Sequence, residues 1–292
     1  WRMREPSCVS PTCRTLITAA LATACLSGRA AETQTIRIAD PTEVARETDP
    51  RRFSEPHLAV NPNDKNHLLA GVFVSWDQGE REEMQANQRC ASFVSRNNGT
   101  SWSRHDFPLI DCVDPQVAIL PDGQAIFVGL GRVPGIQPRT NTWLVVYRSP
   151  DGGVTWESEP TLIGRGHDHP ALVVDYLSPS RKGWVYIITT HEWRDGNGDG
   201  VTGIFVVRSR DSGKSFDEPT VVSPNNLGNG GEMPAVLSDG TLIASFVDES
   251  PSPPRFERRR AWIVRSDNGG SSFSTPFLVS NDVCGPPPVY QL

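Results

Sequence analysis

Acidic side chains recur at or just before four Pro residues that each lead an apolar stretch. The four segments are EPHLAV at Glu55, DPQVAIL at Asp114, DHPALVV at Asp168 and EMPAVL at Glu232, and His169 lies between Asp168 and its Pro. Carboxylate and imidazole groups can hydrogen-bond sugar hydroxyls or bind a cation. We therefore expect an acidic, His-bearing pocket for a sugar, a cation or both. The alternative is that an acidic residue before Pro only caps or solvates the end of a strand.

A second group of oxygen-bearing side chains lies within one short loop. Asp195, Asn197 and Asp199 are followed by Gly200 in the pattern D-x-N-x-D-G, which is how a Ca²⁺-binding loop begins. Alternating oxygen ligands let one turn surround a hard cation. The twelfth position is Val206, where an EF-hand would supply a bidentate Glu. The sequence predicts Ca²⁺ as a cofactor at these three residues, and the alternative is a Gly-rich hairpin loop without an ion.

The elements that must position these groups are marked by an eight-residue segment that recurs four times. Its frame is Ser-x-Asp/Asn-x-Gly-x-Ser/Thr-aromatic, and its starts lie 54, 60 and 57 residues apart. The copies are SRNNGTSW at Ser95–Trp102, SPDGGVTW at Ser149–Trp156, SRDSGKSF at Ser209–Phe216 and SDNGGSSF at Ser266–Phe273. A regular period of this size is typical of a repeat architecture.

Each position of this repeat has a physical role. The Asp or Asn can fold back onto backbone N–H groups of a tight turn. The Gly can adopt a positive φ, and the closing aromatic residue can pack between neighbouring sheets. Apolar runs such as WLVVY and GIFVV precede the repeats, so the pattern predicts β-hairpins.

These segments resemble the Asp-box, the bacterial neuraminidase repeat of the sialidase superfamily, and the resemblance covers residues 53–292. It implies an all-β fold, a β-propeller with four-stranded antiparallel blades, in which the box lies on the rim away from the active site and is structural. Four blades fall within the sequence, and Pro288-Val289-Tyr290 matches the start of a fifth. We therefore expect part of a six-bladed ring; a complete four-bladed ring is the alternative. Each first strand is expected to open with its Pro and to line the central axis.

The same resemblance implies hydrolysis of terminal sialic acids by a Tyr nucleophile paired with Glu, an Asp acid/base and three Arg that bind the substrate carboxylate. Glu232, in GGEMPAVLSDGTL, matches the Glu, and Asp77, in FVSWDQGER, matches the acid/base Asp. Ser54 occupies the place of the first Arg, the strand IASFVDE lacks the Arg expected there, and Tyr290 stands in a first-strand context. The sequence therefore matches the catalytic pattern only in part.

The charge of the chain argues against one class of partner, and its N-terminus indicates export. Net charge is −6, and the longest basic run is Arg258–Arg260, which disfavours a nucleic-acid partner. Residues 1–30 are predicted to be a signal peptide because the apolar run Leu16–Leu26 is too short to span a bilayer; a terminal helix is the alternative. Residues 31–52 are predicted to be a linker or an edge strand. The segment before Cys25 loosely resembles a lipobox, so a lipoprotein anchored through Cys25 is a second form that this prediction allows.

Two classes of function remain open on the sequence. We expect a secreted, periplasmic or cell-surface monomer without a transmembrane segment, in which Cys90 and Cys112 could pair across the first two blades. It would bind a carbohydrate or glycoprotein ligand without full sialidase chemistry. The alternative is an exo-acting glycoside hydrolase in which Glu232 and Asp77 are catalytic.

Overall fold

Four antiparallel sheets of four strands each make up the described part of the chain. The computed structural model describes residues 41–47, 51–76, 88–136, 142–194, 200–223, 230–249 and 259–283. Every strand belongs to the unit Thr42–Leu292. The expected signal peptide and Cys25 lie outside the described residues. No helix in the described ranges has the length and apolar character needed to cross a membrane.

Within each sheet the strands pair in chain order, and every pairing is antiparallel. The strands are, for the first sheet, β1 (Arg51–Asn61), β2 (Asp64–Trp76), β3 (Arg89–Ser95) and β4 (Ser103–Asp106); for the second, β5 (Ile110–Ile119), β6 (Ala125–Arg132), β7 (Trp143–Ser149) and β8 (Thr161–Arg165); for the third, β9 (His167–Val174), β10 (Val185–Arg194), β11 (Gly200–Ser209) and β12 (Thr220–Val221); for the fourth, β13 (Gly230–Val236), β14 (Leu242–Glu249), β15 (Arg259–Ser266) and β16 (Phe277–Val283). This arrangement confirms the all-β prediction of four-stranded propeller blades, and the sheets are called blades 1 to 4 below.

The middle strands of the blades carry the core. In β6 every residue from Ala125 to Gly131 is buried, which is the pattern of a strand covered on both faces. Separate apolar clusters pack blade 1 against blade 2, blade 2 against blade 3 and blade 3 against blade 4. The innermost strand β1 alternates between exposed and half-buried positions. Apolar packing therefore holds neighbouring blades together and leaves β1 partly accessible.

The four repeats form the turns between the third and fourth strands, and their hydrogen bonds are the same in each. In blade 2, Gly153 N donates to Ser149 Oγ at 2.7 Å and Thr155 N donates to Asp151 Oδ1 at 2.8 Å. The equivalent bonds in the other three turns measure 2.8 to 3.0 Å. Gly153 has a φ of 101°, in the region that favours Gly. The structure thus confirms the predicted fold-back of the Asp or Asn side chain and the positive φ of the Gly. We call these segments the repeat turns.

Arginine side chains in or just before the repeat turns of blades 1 to 3 donate to the repeat turn of the next blade. Arg96 donates to the carbonyl of Asp151, Arg148 Nε donates to the carbonyl of Ser212 at 3.2 Å, and Arg208 donates to the carbonyl of Gly269. These bonds satisfy turn carbonyls that would otherwise need water. The repeat turns of the four blades are therefore joined to one another by hydrogen bonds.

Blade 2 also contacts blade 1 closely at Gly152. A Cβ atom at this position would lie 2.9 Å from the carbonyl oxygen of Gly123 and against the ring of His67, and the backbone φ is +71°. His67 is fully buried, and its Nε2 lies 2.7 Å from the carbonyl oxygen of Gly152. Only Gly fits this approach without displacing its neighbours.

A disulfide joins Cys90 in β3 to Cys112 in β5, as the sequence predicts. Both cysteines are fully buried. The bond ties the third strand of blade 1 to the segment of blade 2 that precedes Asp114 and Pro115.

The expectation that Pro opens each first strand is wrong. Pro56 lies within β1, and Pro115 lies within β5. The pairing register shifts between Ser54 and His57, and again between Val113 and Gln116. A bulge at these positions accommodates a residue without a backbone donor, so strand pairing resumes on both sides of the Pro.

Candidate functional site

The first strands of all four blades converge on one cavity of about 470 Å³. Its walls are formed in layers by the Pro residues and their neighbours in β1, β5, β9 and β13. The lining residues are Glu55, Pro56, His57, Asp114, Pro115, Gln116, His169, Pro170, Ala171, Leu172, Met233 and Pro234. We call this space the axial cavity. Three of the four residues predicted to bind a ligand, Glu55, Asp114 and His169, line it.

These three residues share an unusual backbone conformation. Glu55, Asp114 and His169 have φ values of 50°, 53° and 47° and each directly precedes Pro. A side chain disfavours this left-handed region, and the residue before Pro is normally extended. Such strain costs about 1 to 3 kcal/mol per residue and persists only where the surrounding structure enforces it. The same strained geometry therefore presents one polar residue from each of three blades to the cavity.

Glu55 and Asp114 form a carboxyl pair across blades 1 and 2. The backbone N–H of Asp114 donates to Glu55 Oε2 at 3.2 Å, and the two side chains are within hydrogen-bonding reach. Burial raises the pKa of Asp114 to about 7, with further contributions from the hydrogen bond to Glu55 and from its charge; His169 opposes the shift. The pair can hold one proton near neutral pH, which makes Asp114 able both to donate and to accept a hydrogen bond.

Asp168 takes part in the site through its neighbour. Its Oδ2 lies 3.2 Å from His169 Nδ1, and its Oδ1 accepts from the backbone N–H of His169 at 3.0 Å. The hydrogen bond from the His169 side chain lowers the pKa of Asp168. Asp168 is therefore a carboxylate that orients His169 at the cavity rim, where both side chains are exposed.

His167, which the sequence places beside this group, is turned into the fold. It is 7% exposed, and its ring centroid lies 4.5 Å from that of His191. Burial and the neighbouring His191 lower the pKa of His167 to about 4. This imidazole is therefore neutral at physiological pH, and it is not among the residues that line the axial cavity.

His57 and Gln116 line the cavity although the sequence analysis did not select them. Each follows the Pro of its blade, and the corresponding residues of blades 3 and 4 are Ala171 and Ala235. His57 Nδ1 accepts a hydrogen bond from the backbone N–H of Val117 at 3.2 Å, and burial lowers its pKa. The sequence signal that could have found these residues is the comparison of the position after Pro in all four repeats.

A smaller cavity of about 300 Å³ continues along the axis. It shares His57 and Leu172 with the axial cavity, and it is otherwise mostly apolar, with Leu58 and Val60 among its walls. Leu58 is 59% exposed. The polar layer thus lies above an apolar inner channel.

The remaining predicted site residues are not all among the described residues. Asp77, Asp195, Asn197 and Asp199 lie outside them. Glu232 belongs to β13, one residue before the cavity-lining Met233, but its side chain is not among the described parts of the structure. In the described ranges no three His, Cys, Asp or Glu side chains are grouped so that they could hold a metal ion.

The lining of the axial cavity has acidic groups without a basic Arg or Lys among its described residues. Among the described residues that line it there are two carboxyl groups and two imidazoles and no Arg or Lys. The bidentate guanidinium contacts that suit a ligand carboxylate are absent from this lining. The arrangement favours a ligand with many hydroxyl groups over one that carries a carboxylate.

The sequence matches no protein-family model and no curated protein. Solved structures are similar to the fold. A protein of unknown function from Dyadobacter fermentans has a TM-score of 0.57 at 15% identity, over 80% of this chain and 71% of that one. The Trypanosoma rangeli sialidase in complex with the inhibitor DANA has a TM-score of 0.54 at 15% identity, over 83% of this chain and 41% of that one.

A glycosidase of another specificity is equally similar. The GH93 alpha-L-arabinofuranosidase of Fusarium graminearum with arabinobiose has a TM-score of 0.54 at 14% identity, over 81% of this chain and 70% of that one. The chain thus spans less than half of the sialidase and about 70% of the other two proteins. The fold is a β-propeller of the type that sialidases share, and this similarity describes the fold alone.

Proposed function

We propose that the protein binds carbohydrate in the axial cavity. The observation that carries this proposal is the ring of strained polar residues, Glu55, Asp114 and His169, around a cavity of about 470 Å³. Carboxylate acceptors and imidazole donors match the alternating donor and acceptor character of sugar hydroxyls. A sialidase and an arabinofuranosidase have the same fold and cleave sugars, and this supports carbohydrate as the class of ligand.

The proposed ligand is a neutral sugar and not a sialic acid. An anionic sugar would meet the Glu55 and Asp114 carboxyl groups without a cation in the described lining. Ser54 occupies the position at which the sialidase resemblance would place Arg. Repulsion and an uncompensated buried carboxylate would both weaken such a complex.

The remaining features of the proposal concern the setting of this site. The repeat turns would be Asp-boxes of the sialidase superfamily and have a structural role. The buried Cys90–Cys112 disulfide supports export to an oxidising compartment. A Ca²⁺ ion bound at Asp195, Asn197 and Asp199 would be structural and separate from the sugar.

Isothermal titration calorimetry with arabinobiose and with sialic acid tests the binding proposal. We expect heat of binding with arabinobiose and weaker binding of sialic acid. Asp114→Asn keeps the shape of the side chain but removes its charge, and it should weaken arabinobiose binding about tenfold. Asp122→Asn, in the turn between β5 and β6 outside the cavity lining, is the matched control. Failure of arabinobiose to bind, or equal binding by the Asp114 variant, would contradict the proposal.

A second candidate function is glycoside hydrolysis. It is favoured by the contact between Glu55 and Asp114 in the cavity, where burial raises the pKa of Asp114 to about 7 and makes it an acid that can protonate a leaving group at neutral pH. Fluorogenic arabinofuranoside and sialoside substrates distinguish binding from turnover. Hydrolysis that is lost in both Asp114→Asn and Glu232→Ala would establish the enzyme; binding without turnover would leave a lectin-like module.

A further inference from the structure

The residues that follow the first-strand Pro of each blade are polar in blades 1 and 2 and small in blades 3 and 4. The residues that follow the four Pro residues are His57, Gln116, Ala171 and Ala235 in blades 1 to 4. His57, Gln116 and Ala171 line the axial cavity. His57 also borders the inner channel, so its ring lies where the two cavities meet. This asymmetry gives the cavity a defined floor.

The proton of the His57 ring is located by its hydrogen bond. A backbone N–H can only donate, and the N–H of Val117 points at His57 Nδ1 across 3.2 Å. Nδ1 must then be the acceptor, so the neutral ring carries its proton on Nε2. Burial disfavours the charged imidazolium and lowers the pKa of His57, which keeps the ring neutral at physiological pH. The ring edge that remains available is an N–H donor held in place by the neighbouring blade.

We propose that His57 is a specificity-determining residue of the axial cavity, where its Nε2–H donates a hydrogen bond to an oxygen of a neutral sugar. The upper layer consists mainly of groups that accept hydrogen bonds from hydroxyls, namely Glu55 and the Asp114 carboxyl. A sugar bound there needs a donor for the lone pairs of its inward-facing oxygens, and His57 supplies it from below. Ala171, which also lines the cavity, is small and leaves room for the sugar ring.

The positions of these groups indicate a narrower class of ligand than carbohydrate in general. Two adjacent hydroxyl groups on a neutral sugar could donate to the Glu55–Asp114 pair while one of their oxygens accepts from His57. His57, held by the N–H of Val117, is a rigid donor below two acceptors, and this combination fits a vicinal diol. A carboxylate in the same place would accept from His57 but face Glu55 and Asp114 with like charge. The inference rests on the proposed function, since it assumes that the axial cavity takes a sugar.

Two substitutions at position 57 separate the donor from the structural bond. In His57→Asn the side-chain oxygen can replace Nδ1 as acceptor for Val117 N–H, but the distal donor is lost. In His57→Gln the longer side chain places an amide N–H near the position of Nε2. A merely structural His57 would make His57→Asn the better tolerated of the two in binding, whereas our inference requires the reverse order.

The experiment is calorimetric titration of the full chain with arabinobiose, with thermal unfolding of each variant as a check on folding. We expect His57→Asn to weaken binding about tenfold and His57→Gln to stay within about threefold of wild type. Ala171→Leu narrows the cavity and should abolish binding. This test does not depend on whether the position-57 variants fold. Wild-type affinity in His57→Asn would overturn the inference and leave the proposed function standing. Wild-type affinity in Ala171→Leu would show that the sugar does not bind in the axial cavity, and it would overturn both. A wild-type protein that binds no arabinobiose would overturn both.

Discussion

Asp114→Asn should make the protein more stable above neutral pH while it weakens ligand binding. The ordinary pKa of an Asp carboxyl is 3.8, and burial together with Glu55 raises the pKa of Asp114 to about 7 in the folded protein. Below about pH 4 the carboxyl is protonated in both states and contributes no difference. Between pH 4 and 7 the unfolded chain releases the proton and the folded chain retains it, so the free energy of unfolding falls as pH rises. Above pH 7 the penalty is constant.

The size of the effect follows from the same two values. A shift from 3.8 to about 7 corresponds to about 4 kcal/mol when it is fully expressed. Asp114 is only half-buried, and solvent screening reduces this amount, so we expect Asp114→Asn to raise the free energy of unfolding by about 2 to 3 kcal/mol at pH 8. An Asn side chain can still hydrogen-bond Glu55, so the gain comes from removing the charge.

Urea unfolding of wild type and Asp114→Asn at pH 4, 6 and 8 measures this dependence. The two curves should lie close together at pH 4 and separate progressively toward pH 8. Glu55→Gln removes one cause of the raised pKa, and it should move the upper end of the pH-dependent range to lower pH. Asp122→Asn serves as the exposed control. A variant that is less stable than wild type at pH 8, or a stability difference that does not change with pH, would refute the reasoning.

Three further predictions concern the scaffold and the ion. Gly152→Ala should lower the free energy of unfolding by about 3 kcal/mol or more in chemical denaturation, because its Cβ would contact a backbone carbonyl of the same blade and an imidazole of blade 1. Gly123→Ala is the control, since this Gly also has a positive φ but has open space around it, and it should lower the free energy of unfolding by about 1 kcal/mol. A smaller loss at Gly152 than at Gly123 would contradict the packing argument. Replacement of Cys90 and Cys112 by Ala should cost about 3 kcal/mol, since the bond closes a 22-residue separation; unchanged unfolding in the absence of reductant would count against a formed disulfide. Calorimetric titration with Ca²⁺ should show binding that is lost in Asp195→Ala, and equal affinity in both proteins would exclude this loop as the site.

The repeat turns account for most of what the sequence predicts about the fold. The Ser, Asp or Asn and Gly positions in Ser149–Trp156 interact with one another over at most four residues, so their geometry follows from local chemistry. Trp156, Phe216 and Phe273, which close three of the turns, pack against the clusters between blades, as expected, whereas Trp102 packs against a cluster within blade 1. Local rules repeated at a regular interval therefore predict both the strand order and the side-by-side arrangement of the blades.

The cavity depends on relations that local patterns do not contain. The sequence places carboxyl groups near Pro, but it places Pro at the beginning of the strand and not at a bulge inside it. The bulge decides that Glu55, Asp114 and His169 face the axis with a positive φ. Likewise, the raised pKa of Asp114 depends on Glu55, which is 59 residues away in sequence and adjacent only across blades. His57 was missed for the same reason, because its role depends on the N–H of Val117 in the next blade.

The strained residues support the proposal that the axial cavity is a binding site and not a by-product of blade packing. Three residues in disfavoured conformations cost about 3 to 9 kcal/mol together, which is comparable to the net stability of an ordinary domain. The fourth blade shows that the fold does not require this cost, since Met233 occupies the same position without a positive φ among the described residues. Asp114 adds an electrostatic penalty on top of the backbone strain. Selection for stability alone would remove both, by Gly at the strained positions or Asn at position 114. The strained conformations occur in three blades, where the first strands line the axial cavity, and this supports the proposed binding site.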